Sequence, residues 1–84
     1  MERAEIIEKI NDFLVDEFEL EADQLKPEAL LKNDLGIDSL DFVDIIVIIE
    51  KNFGFKVKAE EMANVKTLQD FYDYVIDNVK KLNS

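Results

Sequence analysis

Three stretches of this chain repeat their apolar residues at helical spacing, and no segment between them offers a strand to pair with another. In the first, Ile6, Ile7, Ile10, Phe13, Leu14 and Phe18 fall on one face of a helical repeat. That spacing predicts an amphipathic helix from about Glu2 to Phe18, with acids and bases on its other face. In the last stretch, Leu68, Phe71, Tyr72, Val75, Ile76, Val79 and Leu82 do the same. Thr67 and Asp70 ahead of it are spaced as a capping box. Lys80 and Lys81 lie near its end, where the helix dipole favours positive charge.

The middle stretch is ambiguous by composition. Phe42-Val43-Asp44-Ile45-Ile46-Val47-Ile48-Ile49 is rich in β-branched residues and reads locally as a strand. Its flanks argue for a helix from Ser39 to about Phe53. Asp38 is a good N-cap, Asp41 stands three residues later as the acidic partner of a capping box, and Gly54 is a plausible stop. On this helix Phe42, Ile45, Ile46, Ile49 and Phe53 share one face, expected to be core. Leu40, Val43 and Val47 point elsewhere, among Asp41, Asp44 and Lys51. An outward apolar stripe with an acidic rim suits either a helix buried nearly all round or a partner-docking surface.

Between the first two helices, from Glu19 to Ile37, the periodicity disappears. Pro27 and Gly36 punctuate the segment, and Pro27 opposes a continuous helix. A connection this long is uncommon in a compact domain. Leu20, Leu25, Leu30, Leu31 and Leu35 suggest that it packs down on the helices, with room for a short helical turn. Phe55-Lys56-Val57 reads as an extended connector, and Ala59 to Ala63 as one short helix with Met62 facing inward. The expected fold is all-α: a single-domain bundle over residues 1–84 with three main helices, one short helix and a long first loop.

Composition narrows the function. Twenty acidic residues oppose ten basic ones, a net charge of −10. Nucleic-acid binding requires a basic surface and is excluded as an expectation. A strongly acidic domain repels itself and attracts basic partners. The chain has no cysteine, which fits a reducing cytoplasm. Met1-Glu2-Arg3-Ala4-Glu5 has no signal-peptide apolar core. The longest apolar run, Ile45 to Ile49, is far too short for membrane insertion. The protein is expected to be monomeric.

Ser39 is the one serine away from the C-terminus, since the other is Ser84, and the chain has no histidine. With Asp38 as N-cap, Ser39 becomes the first helical residue, close to free backbone N–H groups and the positive end of the dipole. A phosphodiester there would gain roughly 0.3–1 kcal/mol from the dipole at an exposed site, opposed by Asp38 and Asp41. Gly36 lets the preceding loop turn without a side chain in the way. A nucleophilic serine needs a base within hydrogen-bond reach, and nothing here has that arrangement, so enzymatic activity is not expected. Two readings of the residues remain: a plain helix-start serine, or a serine modified by another protein.

Asp34-Leu35-Gly36-Ile37-Asp38-Ser39-Leu40-Asp41, followed by Val43 and Asp44, closely resembles the acyl carrier proteins. The resemblance extends through Glu50 and Phe53, the helix opening at Thr67, and Asp73-Tyr74-Val75, so it spans essentially the whole chain. It implies that Ser39, flanked by Asp38 and Leu40, carries covalent 4'-phosphopantetheine transferred from coenzyme A by a phosphopantetheinyl transferase (holo-ACP synthase). The arm's thiol would hold acyl groups as thioesters for fatty-acid synthesis, and the apolar space between helices would shelter the chain. Synthase enzymes would bring basic patches to Asp38, Asp41, Asp44 and Glu50, with Leu40, Val43 and Val47 as apolar contacts and Glu60 and Glu61 extending the surface.

Some positions depart from the family pattern. Lys51 stands where an acid is common, Phe42 and Ile48 are bulkier than usual, and Lys56 and Lys58 make the connector more basic. These bear on which synthase and which acyl chain the protein serves, and Phe42 is expected to narrow the pocket mouth. The alternative within the same class is a specialised carrier for polyketide-like, aryl or amino-acyl groups. Other classes are a divalent-ion regulator and an unmodified interaction bundle. Asp34, Asp38, Asp41 and Asp44 cluster but lack EF-hand spacing, so no metal site is expected.

Overall fold

Helix α1 runs Arg3–Phe18 in the computed structural model, which describes residues 2–83. Met1 and Ser84, the ends of the expected domain, lie outside the described residues. Ile6, Ile10 and Leu14 of α1 are buried, with Ile7, Phe13 and Phe18 packed against the core more loosely. The helix ends at Glu19, whose backbone is left-handed at φ 55°.

Helix α2 covers Ser39–Phe53, so the β-branched run is helical. Its ends account for this. Asp38 Oδ1 accepts from Leu40 N at 2.9 Å and Asp41 N at 3.2 Å, while Asp41 Oδ2 accepts from Asp38 N at 3.2 Å. That is the expected capping box, and it satisfies donors a helix start otherwise leaves open. At the other end Gly54 adopts φ 77° and its N–H donates to the Glu50 carbonyl at 3.0 Å. Ile45, Ile49 and Phe53 are buried at helical spacing. Their burial offsets the modest helix penalty of β-branched residues, at most about 0.7 kcal/mol each. Phe42 and Ile46, expected in the core, are only half-buried on its margin.

After Gly54 the chain is extended. Phe55 and Val57 are buried while Lys56 and Lys58 stay in solvent, the alternation of extended backbone. Helix α3 is Ala59–Met62, one residue shorter than expected, with Met62 fully buried. Helix α4 is Leu68–Asn83. Its start is a second box: Asp70 N donates to Thr67 Oγ1 at 3.1 Å and Thr67 N donates to Asp70 Oδ2 at 3.2 Å. The backbone N–H of Thr67, reinforced by Lys66, holds the Asp70 carboxyl below its ordinary range.

Leu68, Phe71, Tyr72, Val75, Ile76 and Val79 of α4 are buried as the spacing predicts. Leu82 is not: it is 53% exposed, a turn beyond Val79, the last buried position on the helix. Helices α1 and α4 meet through Phe13 and Phe71, whose rings lie edge to face at 6.2 Å. Tyr72 Oη also donates to Asn11 Oδ1. Burial pushes the Tyr72 phenol pKa up.

The first loop is pinned rather than loose. It holds one short 3-10 turn, Ala22–Gln24, and buries Leu20, Ala29, Leu31, Leu35 and Ile37. Leu25 is half-buried and Leu30 is 37% exposed, so the loop leucines do not all pack. Its far half joins the start of α4: Leu31 N donates to the Lys66 carbonyl, Leu68 N to the Ala29 carbonyl and Gln69 N to the Pro27 carbonyl, each at 2.9 Å. A single antiparallel bridge pairs Leu30 with Thr67. The four helices and this strapped loop make the expected all-α bundle, with no named strand among the described residues.

Candidate functional site

Ser39 is exposed, and it is the first residue of α2. The loop reaches it by a turn at Gly36, where φ is 70° and a residue with a side chain would be strained. Ile37 beside it is fully buried, and its N–H donates to the Leu31 carbonyl at 2.8 Å. The serine is therefore presented from a fixed base, with its hydroxyl on the solvent side.

The first-turn donors are less free than the sequence suggests. Asp38 has already taken the N–H groups of Leu40 and Asp41. An anion at Ser39 would feel the dipole of α2, but those two donors are occupied.

A half-open groove of about 430 Å³ runs beside Ser39. Its apolar wall includes Leu30, Ile37, Phe42, Ala63 and Val65, and its polar lining includes Lys32, Asn33 and Lys66. Three parts of the chain meet here: the first loop, the start of α2 and the turn between α3 and α4. Phe42 owes its half-burial to this position on the groove wall. The volume lies within the span of small-molecule sites, roughly 300–1,000 Å³.

Along α2, Leu40, Val43 and Val47 are 79%, 61% and 59% exposed, which removes the alternative that the helix is buried all round. Asp44 is exposed on the same helix, and Asp41 is half-buried by its capping duty. Glu50 is half-buried, and its carboxylate accepts from Val57 N at 3.4 Å. Glu60 and Glu61 are exposed on α3, and Tyr74 Oη donates to Glu61 at 3.3 Å. Burial, with the Glu61 charge alongside, raises the Tyr74 pKa. Glu50 and Glu61 thus brace the connector and α3 as well as facing outward. Among the described residues, no group of three or more acidic, histidine or cysteine side chains is placed to hold a metal ion.

Known proteins resemble this chain in sequence and in fold. Residues 8–75 match the family described as phosphopantetheine attachment site. The acyl carrier protein of Thermosynechococcus vestitus is 35% identical over 94% of this chain and 98% of its own. The chain belongs to the acyl carrier protein family. The acyl carrier protein of Chlorobium phaeobacteroides is 37% identical over 90% of this chain and 97% of its own. A solved structure of acyl carrier protein from Enterococcus faecalis superposes with a TM-score of 0.77 at 28% identity, covering 93% of this chain and 99% of that one. Acyl carrier proteins are carriers rather than enzymes, and their cofactor is covalently attached 4'-phosphopantetheine. The family works with synthases and a transferase. No helix among the described residues is long and apolar enough to cross a membrane.

Lys32 and Lys66 are among the groove residues that sequence reasoning missed, with Asn33 and Val65. Their signal was weak: Lys32 lies two positions before the Asp34–Asp41 motif but Lys66 lies far beyond it, 34 positions from Lys32, and only the loop's bonds to the start of α4 bring the two together.

Proposed function

We propose that this chain, as one domain over residues 1–84, is an acyl carrier protein whose Ser39 bears the 4'-phosphopantetheine. The observation that carries the reading is the exposed Ser39 at the rigid start of α2, inside the Asp34–Asp41 motif and within the family match. The residues fit the group: the hydroxyl is open to solvent, and a groove lies alongside it. When attached, the arm supplies a thiol that holds acyl groups as thioesters, here for fatty-acid synthesis in a reducing cytoplasm.

The chain's own part is presentation. Asp38 and Leu40 flank the attachment point. Gly36 and buried Ile37 hold the loop so that a phosphopantetheinyl transferase reaches the hydroxyl. Leu40, Val43 and Val47 offer apolar contacts, and Asp41, Asp44, Glu50, Glu60 and Glu61 draw basic patches on the transferase and synthase enzymes. The protein works as a monomer that visits one partner after another.

Intact mass after incubation with coenzyme A and a broad-specificity transferase tests this. The wild type should gain one phosphopantetheine and Ser39→Ala none. Unchanged wild-type mass, with a known carrier modified in the same tube, would sink the proposal.

A further inference from the structure

A phosphodiester on Ser39 would enter an unfavourable neighbourhood. Asp38 and Asp41 stand beside it, their carboxylates locked to the first turn, and the N–H groups of Leu40 and Asp41 are taken. The chain already has a net charge of −10. A further negative charge raises its self-repulsion unless a cation is near.

The groove supplies that cation. Asp38 is its one acidic lining residue, against Lys32 and Lys66. In three other surface clefts acids outnumber bases. The positive balance is therefore local to Ser39. The bond from Leu31 N to the Lys66 carbonyl sets the two lysine-bearing segments side by side. Both lysines are exposed, so their stems can lie on the apolar wall while the ammonium groups reach an anion at the rim. Asp70, whose carboxylate also accepts from Lys66 N at 3.4 Å, lies beside that lysine and offsets part of its charge.

We propose that Lys32 and Lys66, which line the groove beside Ser39, are the counter-charges of the phosphodiester on Ser39. This rests on the reading of Ser39 as the attachment point.

The experiment loads the full chain with a carbon-13-labelled arm, and intact mass establishes loading first. Wild-type protein should show nuclear Overhauser contacts from the phosphate-proximal end of the arm to the side chains of residues 32 and 66. Its melting temperature should not fall on loading. The Lys32→Gln/Lys66→Gln protein should load fully and fold normally, since both lysines are exposed. Its arm contacts should weaken several-fold, and loading should lower its melting temperature by several degrees in low salt. Lys32→Arg/Lys66→Arg should restore wild-type behaviour. A loaded wild-type arm with random-coil shifts and no contacts would overturn the proposal, as would a Gln pair indistinguishable from wild type. Failure to load at all would instead strike the reading of Ser39, and this proposal with it.

Discussion

Ile49 and Val47 sit two positions apart on α2 and have opposite roles. Ile49 is fully buried and Val47 is 59% exposed. Ile49→Ala leaves a cavity in a packed core and should cost about 2–5 kcal/mol. Val47→Ala should stay within about 0.5 kcal/mol of wild type. Chemical denaturation of both variants checks the pair, and similar losses would mean that the phase of α2 is wrong. That phase was readable in advance for Ile45, Ile49, Phe53, Leu40, Val43 and Val47, because a helix fixes which residues share a face. It was less readable for Phe42, where the neighbour is a groove rather than another helix. Leu82 failed for a related reason: periodicity continues along α4 past the point where the core ends. The Tyr72–Asn11 bond was not readable at all, since it joins polar atoms 61 positions apart on two helices.

The ends of the helices decide more than their middles. Two capping boxes, Asp38 with Asp41 and Thr67 with Asp70, follow from short local spacing and form as the sequence predicts. The first of them, with the stop at Gly54 and the burial of Ile45, Ile49 and Phe53, is why the isoleucine- and valine-rich run of α2 is a helix. The end of α1 is the exception. Glu19 takes a left-handed backbone at φ 55°, a place usually given to glycine, and no basic residue lies in the last turn. A side chain there is strained, and a negative charge faces the negative end of the dipole. Glu19→Gly should raise stability by about 0.5–1 kcal/mol, relief of strain outweighing the added freedom of the unfolded chain. Glu19→Ala removes the same charge but keeps the strain, so denaturation curves should rank it below the glycine variant. The reverse order would show that charge, not backbone, governs this helix end.

The whole molecule confines its charge within a radius of gyration of 11.8 Å. With twenty acids and ten bases, half of the acids have no base of their own. The ion pairs that form, such as Arg3–Asp73 at 3.6 Å and Lys81–Asp77 at 3.3 Å, are exposed and contribute about 0–1 kcal/mol each. Added salt should therefore raise the melting temperature, because screening shortens to about 3 Å at 1 M and relieves self-repulsion. A thermal melt that ignores salt would mean that the acids are already compensated. Local spacing was enough to place the three long helices, their caps, the outward stripe of α2 and Ser39 at a helix start. Each of these depends on residues within a few positions of one another, where side-chain spacing speaks directly to the backbone. The course of the first loop and the groove beside Ser39 emerge only in the folded chain. These rest on backbone hydrogen bonds between the 27–31 and 66–69 segments, and such bonds use groups that every residue has, so no side-chain pattern announces them.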